Sequence, residues 1–264
     1  MNTHYPSPIT ALAVAIGASA CFLVPATSSG GMQSAVFTVD YKPKFIASKA
    51  IPSLCDNPAT TTEEPNYSPN YTNTSCRDYV TNRCPLGGGE VYVVVAHAGI
   101  EGVAAASFGV SYEGSAGSGI DPQYVTWTPC ADGLSFPNND GVHGDFPQPG
   151  GGLRITWNAP GSCANEVLGA EGVHAVVGVF YVYAYSDDVL RLIPNNNLQT
   201  GPEVSVADCT GVETRLNDIW GAQYTPFFLG KVGFGSQFGL NSCFTYPVSL
   251  TTWGKMKSMY KENQ

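Results

Sequence analysis

Reactive side chains are sparse in this chain, and the densest group of them falls in one loop. Asn138, Asn139, Asp140, His143 and Asp145 lie within NNDGVHGD, which puts several hard oxygens and one imidazole on a glycine-rich turn. Calcium takes six to eight oxygens, and such a loop with its carbonyls can supply them. Asp140 and Asp145 are therefore the candidate ligands, and calcium the candidate cofactor. The register departs from the EF-hand pattern, and segments of this composition are commonly plain loops. Carboxylates also offer acid–base chemistry. Asp187, Asp188 and Glu171 are the acids available for glycoside hydrolysis, which needs two carboxyls opposed across about 5 to 10 Å. Ser186-Asp187-Asp188 is equally a good tight turn, because short polar side chains satisfy turn amides, and that reading is preferred.

Other chemistry is thin. A serine nucleophile elbow needs Gly-x-Ser-x-Gly on a strand-to-helix turn, whereas GSAGSG at 114–119 has another spacing and no helical pattern behind it. Once an export signal is set aside, His97, His143 and His174 are the imidazoles left, at a strand end, in a loop and at a strand start. GKVGFGSQFG lacks both the GxGxxG spacing and a surrounding βαβ unit, so dinucleotide binding is not indicated. Tyr181, Tyr183 and Tyr185 recur at spacing two and stand about 7 Å apart on one face of a strand. An exposed row is a platform for sugar rings or another protein; a covered row is the second layer of a sandwich. The central position of the strand favours the covered arrangement.

The elements that must carry these residues are strands. GVHAVVGVFYVYAYSDDVLRLIP, from Gly172 to Pro194, is the most continuously apolar stretch, and it reads as a long central strand, a turn and a return strand. Alternation sends Val176, Phe180 and Val182 to one side, with a bulge expected near Gly178. SAVFTVDY, GGGEVYVVVAH, VAAASFGVSY, YVTWTPC, GLRITWN and EVSVADC add further short strands punctuated by Gly, Pro, Asn and Asp. Thr210-Gly211-Val212-Glu213 has capping-box form, and Val212, Leu216, Ile219 and Trp220 follow at helical spacing, so one short helix is expected there. FGVSYEG, WTPC, GGLRITW, FYVYAYSDDVL and VADC together resemble a group of exported bacterial proteins with sandwich-like domains, over residues 87 to 210. The resemblance rests on structural residues and implies a fold, with no activity attached.

Composition points to an exported protein. Only 12% of residues are charged while Gly 30 and Pro 19 are high, and a net charge of -9 opposes nucleic-acid binding. Residues 1–30 read as a signal peptide: Ile9 to Ala26 is apolar and small residues follow, although the leading MNTHYPSP carries no Lys or Arg. Ala18-Ser19-Ala20-Cys21 also resembles a lipobox without its usual Leu, a second way to a surface anchor. No membrane span is expected after signal removal. The eight cysteines lack CxxC pairing and read as disulfides, with Cys130–Cys163 and Cys209–Cys243 the preferred pairs and Cys55, Cys76 and Cys84 pinning a Pro/Thr/Asn-rich loop over 56–84.

The expectation is thus an all-β protein, a mostly antiparallel β-sandwich (Ig-like) with one short helix, as a single domain over 31–252 before a loose basic tail at 253–264. Its expected function is a non-catalytic extracellular or cell-surface binding or structural module for carbohydrate or a cell-surface protein. The rival is a secreted hydrolase using carboxylates of the 138–145 loop or the 186–188 turn.

Overall fold

The computed structural model describes residues 32, 35–43, 79–99, 101–130, 133–138, 142, 144–157, 163, 173–197, 201–216 and 229–244. The expected signal at 1–30, most of the 56–84 loop, Asp140, His143, Glu171 and the 253–264 tail lie outside them. In chain order the strands are β1 (Val36–Pro43), β2 (Gly87–Ala98), β3 (Val103–Ser111), β4 (Thr126–Pro129), β5 (Leu134–Pro137), β6 (Gly152–Thr156) and β7 (Val173–Ala184). They continue with β8 (Asp188–Ile193), β9 (Asn195–Asn197), β10 (Gly201–Glu203), β11 (Ser205–Asp208), β12 (Glu213–Arg215) and β13 (Lys231–Phe234).

Two antiparallel sheets carry the core. The first has the order β1-β2-β7-β4; the second runs β12-β11-β3-β6-β5, with β8 pairing β3 and β13 pairing β8. Gly230 ties the sheets at one side: its amide donates to the Phe37 carbonyl at 2.8 Å, and its carbonyl accepts from Leu192 at 3.0 Å. A Cβ there would stand 2.9 Å from the Val39 nitrogen, so only glycine lets the chains approach. Alternation sent Phe180 and Val182 inward and both are buried, together with Phe37, Val39, Phe108, Val110, Leu153, Ile155, Val232 and Phe234 between the two sheets. Phe180 and Trp127 of the first sheet meet Phe108 of the second, with ring centroids 4.6 Å and 5.8 Å from Trp127. Phe146, from a loop, closes the gap at 5.5 Å from Trp127.

Three expectations are corrected. Val176 does not share a face with Phe180, because the β2–β7 register jumps from Val93↔Gly178 to Val94↔Val176. Val177 is the inserted residue; it takes the core position, and Val176 packs in a separate cluster on the outer face. A bulge changes side-chain parity, so strict alternation fails beyond it. Second, no helix begins at Thr210: Asp208 Oδ1 accepts from the Thr210 amide, the Thr210 hydroxyl and the Val212 amide, Glu213–Arg215 then pair with β11, and helical backbone is first met at Leu216. An aspartate that satisfies the turn amides first turns the chain back into a hairpin. Ile219 and Trp220 lie outside the described residues.

Third, the cysteine pairs differ. Cys163 bonds Cys209, which excludes both Cys130–Cys163 and Cys209–Cys243, although Cys130 and Cys243 are also disulfide-bonded. Cys163 and Cys209 have Cα atoms 5.8 Å apart, within bridging range. Bracketing a strand in sequence does not bring two cysteines together; the pairing of β11 with β3 does, since Asp208 lies opposite Val103, whose carbonyl is 3.5 Å from the Cys163 sulfur. Cys84 pins no loop through a disulfide. It is a free, buried thiol, pushed up to about 12 by burial and then by the charge of Asp40.

Candidate functional site

The outer face of the first sheet presents the tyrosines. Tyr181 and Tyr183 on β7 are half-buried and Tyr185 beyond it is 45% exposed, so the row is covered at one end and open at the other. Gly88 of β2 makes room for it, since a Cβ there would lie 2.6 Å from the Tyr181 hydroxyl. Tyr124, which sequence reasoning missed, joins the open end and is 47% exposed. It sits on a single 3-10 turn, Pro122–Tyr124, whose first amides are capped by Asp121: the carboxylate accepts from Gln123 N at 3.0 Å. Asp-Pro ahead of Gln-Tyr was the available signal, as Pro at the first helical position after an Asp cap marks such a turn. Ring centroids stand 5.9 Å apart for Tyr124–Tyr183, 6.5 Å for Tyr124–Tyr185 and 4.8 Å for Tyr183–Tyr185, with planes inclined by 52°, 56° and 52°. The Tyr185 phenol is raised above its ordinary value by desolvation and then by Tyr124, with which it hydrogen-bonds.

The acids of the 186–188 turn are spent on structure. Asp188 is buried; its Oδ1 accepts from the Glu113 amide at 3.2 Å and the Val189 amide at 2.6 Å, and its Oδ2 from the Ile120 amide at 2.9 Å. Asp187 accepts from the Ser236 amide at 3.1 Å and from the Ser236 hydroxyl. Those bonds, the hydroxyl's first, hold Asp187 below its ordinary 3.8. A cavity of about 180 Å³ adjoins them, lined by Glu113, Ser118, Arg191 and Gln237 among others. Asp187 is held down, away from the raised proton affinity of a general acid, and Asp188 is filled by backbone donors.

In the 138–145 loop, Asn138 donates its backbone amide to the Gly152 carbonyl at 2.8 Å and its side-chain amide to the Asn196 carbonyl. The Asp145 side chain is exposed and its carbonyl accepts from Gln148 N at 2.6 Å. Among the described residues no group of three or more His, Cys, Asp or Glu is placed to hold a metal ion, and Asp140 and His143 lie outside them. His97 and His174 are buried edge-to-face at 5.7 Å, and His174 Nδ1 meets the Tyr79 hydroxyl at 3.2 Å.

A second polar cluster, which sequence reasoning did not single out, lies on the outer face of the second sheet. Directly opposed residues of antiparallel strands share a face, and the registers set Arg215, Ser205, Ser107, Arg154 and Phe136 in one row across β12, β11, β3, β6 and β5. Glu203 and Glu213 join the row. The Ser205 hydroxyl is 2.8 Å from Glu203 Oε1 and 2.7 Å from Glu213 Oε1, so its one proton serves one carboxylate at a time. Arg154 pairs with Glu213 at 2.7 Å. Desolvation raises the Glu213 carboxyl, but Ser205 and Arg154 outweigh it and the net shift is downward. Nothing in the alternating text of EVSVADC or GLRITWN showed that these polar residues would meet, because strand order is not readable from it.

The class these features define is an all-β, mostly antiparallel two-sheet protein with outward-facing clusters. No family model and no curated protein sequence matches the chain. Among solved structures, the chain is similar to the sixth cohesin of Acetivibrio cellulolyticus scaffoldin B, solved in complex with a dockerin. That match has 13% identity and a TM-score of 0.28 and covers 52% of this chain and 90% of that one. It is also similar to the pilus backbone protein RrgB of Streptococcus pneumoniae, at 12% identity and a TM-score of 0.24, covering 64% of this chain and 56% of that one. At such distances neither likeness assigns a ligand or a residue role.

Proposed function

We propose that the chain is a non-catalytic module of an extracellular or cell-surface protein that binds a partner protein through the tyrosine face. The observation that carries this is the cluster of Tyr124, Tyr183 and Tyr185, whose outer two rings are nearly half exposed. Tyrosine offers a large contact area at low entropic cost and is enriched at protein interfaces. Rings inclined by more than 50° to one another make a ridged surface, which suits interlocking side chains better than the flat stacking of successive sugars. The occupied carboxylates of the 186–188 turn favour binding over hydrolysis. The Cys163–Cys209 bridge supports an oxidising compartment, in keeping with the export signal read at 1–30.

Site-specific photo-crosslinking in the cells that make the protein tests this. A benzophenone side chain at Tyr185 is expected to capture one defined protein, and the same group at Val212, exposed on the other sheet, is not. Identical adducts from both positions, or none from Tyr185, would remove the tyrosine face as the binding surface.

A further inference from the structure

The hairpin of β9 and β10 folds over the outer face of the second sheet and leaves a cavity of about 140 Å³ beneath it. Ser107, Phe136, Asn138, Arg154, Asn195 and Glu203 line it, with Pro137 beside Phe136. We propose that this cavity binds one ring of a neutral, hydroxyl-rich ligand, a saccharide residue. The site lies on the sheet opposite the tyrosine face and stands or falls independently of it.

Hydrogen-bond accounting points first to a donor. Glu203 and Asn195 are 3% and 5% exposed, yet Glu203 Oε2 and Asn195 Oδ1 accept no hydrogen bond from any described residue. The nearest cation to Glu203 Oε2 is an Arg215 nitrogen at 3.7 Å, beyond hydrogen-bond length. Buried acceptors of this kind call for a partner, and the two side chains that carry them line one small cavity. The other end of each side chain is tied: Asn195 Nδ2 donates to Ser107 Oγ at 3.1 Å, and Glu203 Oε1 lies 2.8 Å from the Ser205 hydroxyl it shares with Glu213. The acceptors are therefore held in place before a ligand arrives, which lowers the entropic cost of binding.

Charge then selects the donor. Glu203 and Glu213 are balanced by Arg154 and Arg215, so the site attracts neither a free anion nor a metal cation, and the two guanidiniums repel any cation close to Glu203. A hydroxyl group carries no charge, donates to the carboxylate and the amide oxygen, and accepts from Arg154. Phe136 supplies the remaining feature. Its ring is 52% exposed on the edge strand β5, directly opposite Arg154, where it offers an apolar wall to the C–H face of a ring. The volume fits a single ring rather than a drug-sized ligand, whose sites run to about 300–1,000 Å³.

The test is an NMR titration of the intact protein with cellobiose, maltose and N,N′-diacetylchitobiose, each to about 50 mM, a range suited to millimolar affinity. At least one of them is expected to shift the amides of Phe136, Asn195 and Glu203 saturably. Phe136→Ala and Glu203→Gln are each expected to weaken that binding roughly tenfold or more, while Tyr185→Ala leaves it unchanged. Should Glu203→Gln fail to fold, Phe136→Ala carries the comparison, because an exposed ring on an edge strand is dispensable for the core. Signals that stay still with all three sugars would overturn the proposal. So would saturation of the same signals by calcium chloride or inorganic phosphate instead, or binding that survives loss of the Phe136 ring.

Discussion

Asp188 shows how a residue with catalytic potential becomes a clamp. Its carboxylate receives amides from Glu113, Ile120 and its own neighbour Val189, and so fastens the 113–120 loop to the start of β8. Hydrogen bonds to a charged acceptor contribute more than neutral ones, and removing the acceptor leaves buried amides without a partner. Asp188→Ala is accordingly expected to destabilise the fold by about 3 kcal/mol. In urea denaturation this appears as a lower midpoint with an unchanged m-value, and a loss under about 1 kcal/mol would contradict the clamp. The preference for a turn at Ser186-Asp187-Asp188 was legible from residue type alone. Its partners were not, since Glu113 and Ile120 lie far away in sequence and only the pairing of β3 with β8 brings them near.

At the scale of elements, one inserted residue and one polar side chain decide more than propensity does. The bulge at Val177 turns Val173, Ala175 and Val177 toward the core and sends Val176 outward, so a single β7 strand serves two clusters. Gly178 is where the strand meets Trp127: a Cβ there would lie 2.2 Å from the indole ring. The β11–β12 hairpin depends on Asp208 in a comparable way. Burial raises its carboxyl, but the Thr210 hydroxyl and the amides of Val212, Thr210 and Gly211 together hold it below its ordinary 3.8. A carboxyl whose folded value is depressed stabilises the fold above its unfolded value, and that contribution is lost as pH falls through the folded one. The protein is therefore expected to lose stability on acidification below about pH 4. Asp208→Asn should flatten part of that dependence when unfolding midpoints are compared at neutral and acid pH, and an unaltered slope would show that the turn does not depend on the charge. Glu213, also depressed, adds to the dependence with the same sign.

Over the whole molecule, the covalent links and the core act together. Cys163–Cys209 closes a span of 46 residues, and chain-entropy reasoning gives such a link about 4 kcal/mol. Cys130 and Cys243 are both disulfide-bonded; Cys243 is buried in a cluster with Tyr79, Tyr92 and Val179, and half-buried Cys130 packs against it. Peptide mapping without reduction is expected to recover Cys163 with Cys209 and to find neither Cys130 nor Cys243 as a free thiol. In the same experiment Cys84 should resist alkylation at neutral pH until the protein unfolds, because its thiol is buried and raised to about 12. Rapid labelling of Cys84 in the folded protein would place it at the surface and contradict its burial in the core.

What the amino-acid order determined by itself is local. Alternation of apolar and polar residues sent Phe180 and Val182 of β7 into the core, since a pleated strand keeps a period of two until a bulge interrupts it. Short apolar runs punctuated by Gly, Pro, Asn and Asp likewise indicated a mostly antiparallel all-β chain. Only the tertiary structure decided which cysteines meet, that Tyr124 completes the tyrosine cluster, and that Glu203, Asn195 and Phe136 enclose a cavity. Each of these depends on strand order and register, which arise from contacts between segments far apart in the chain, and no local periodicity encodes them.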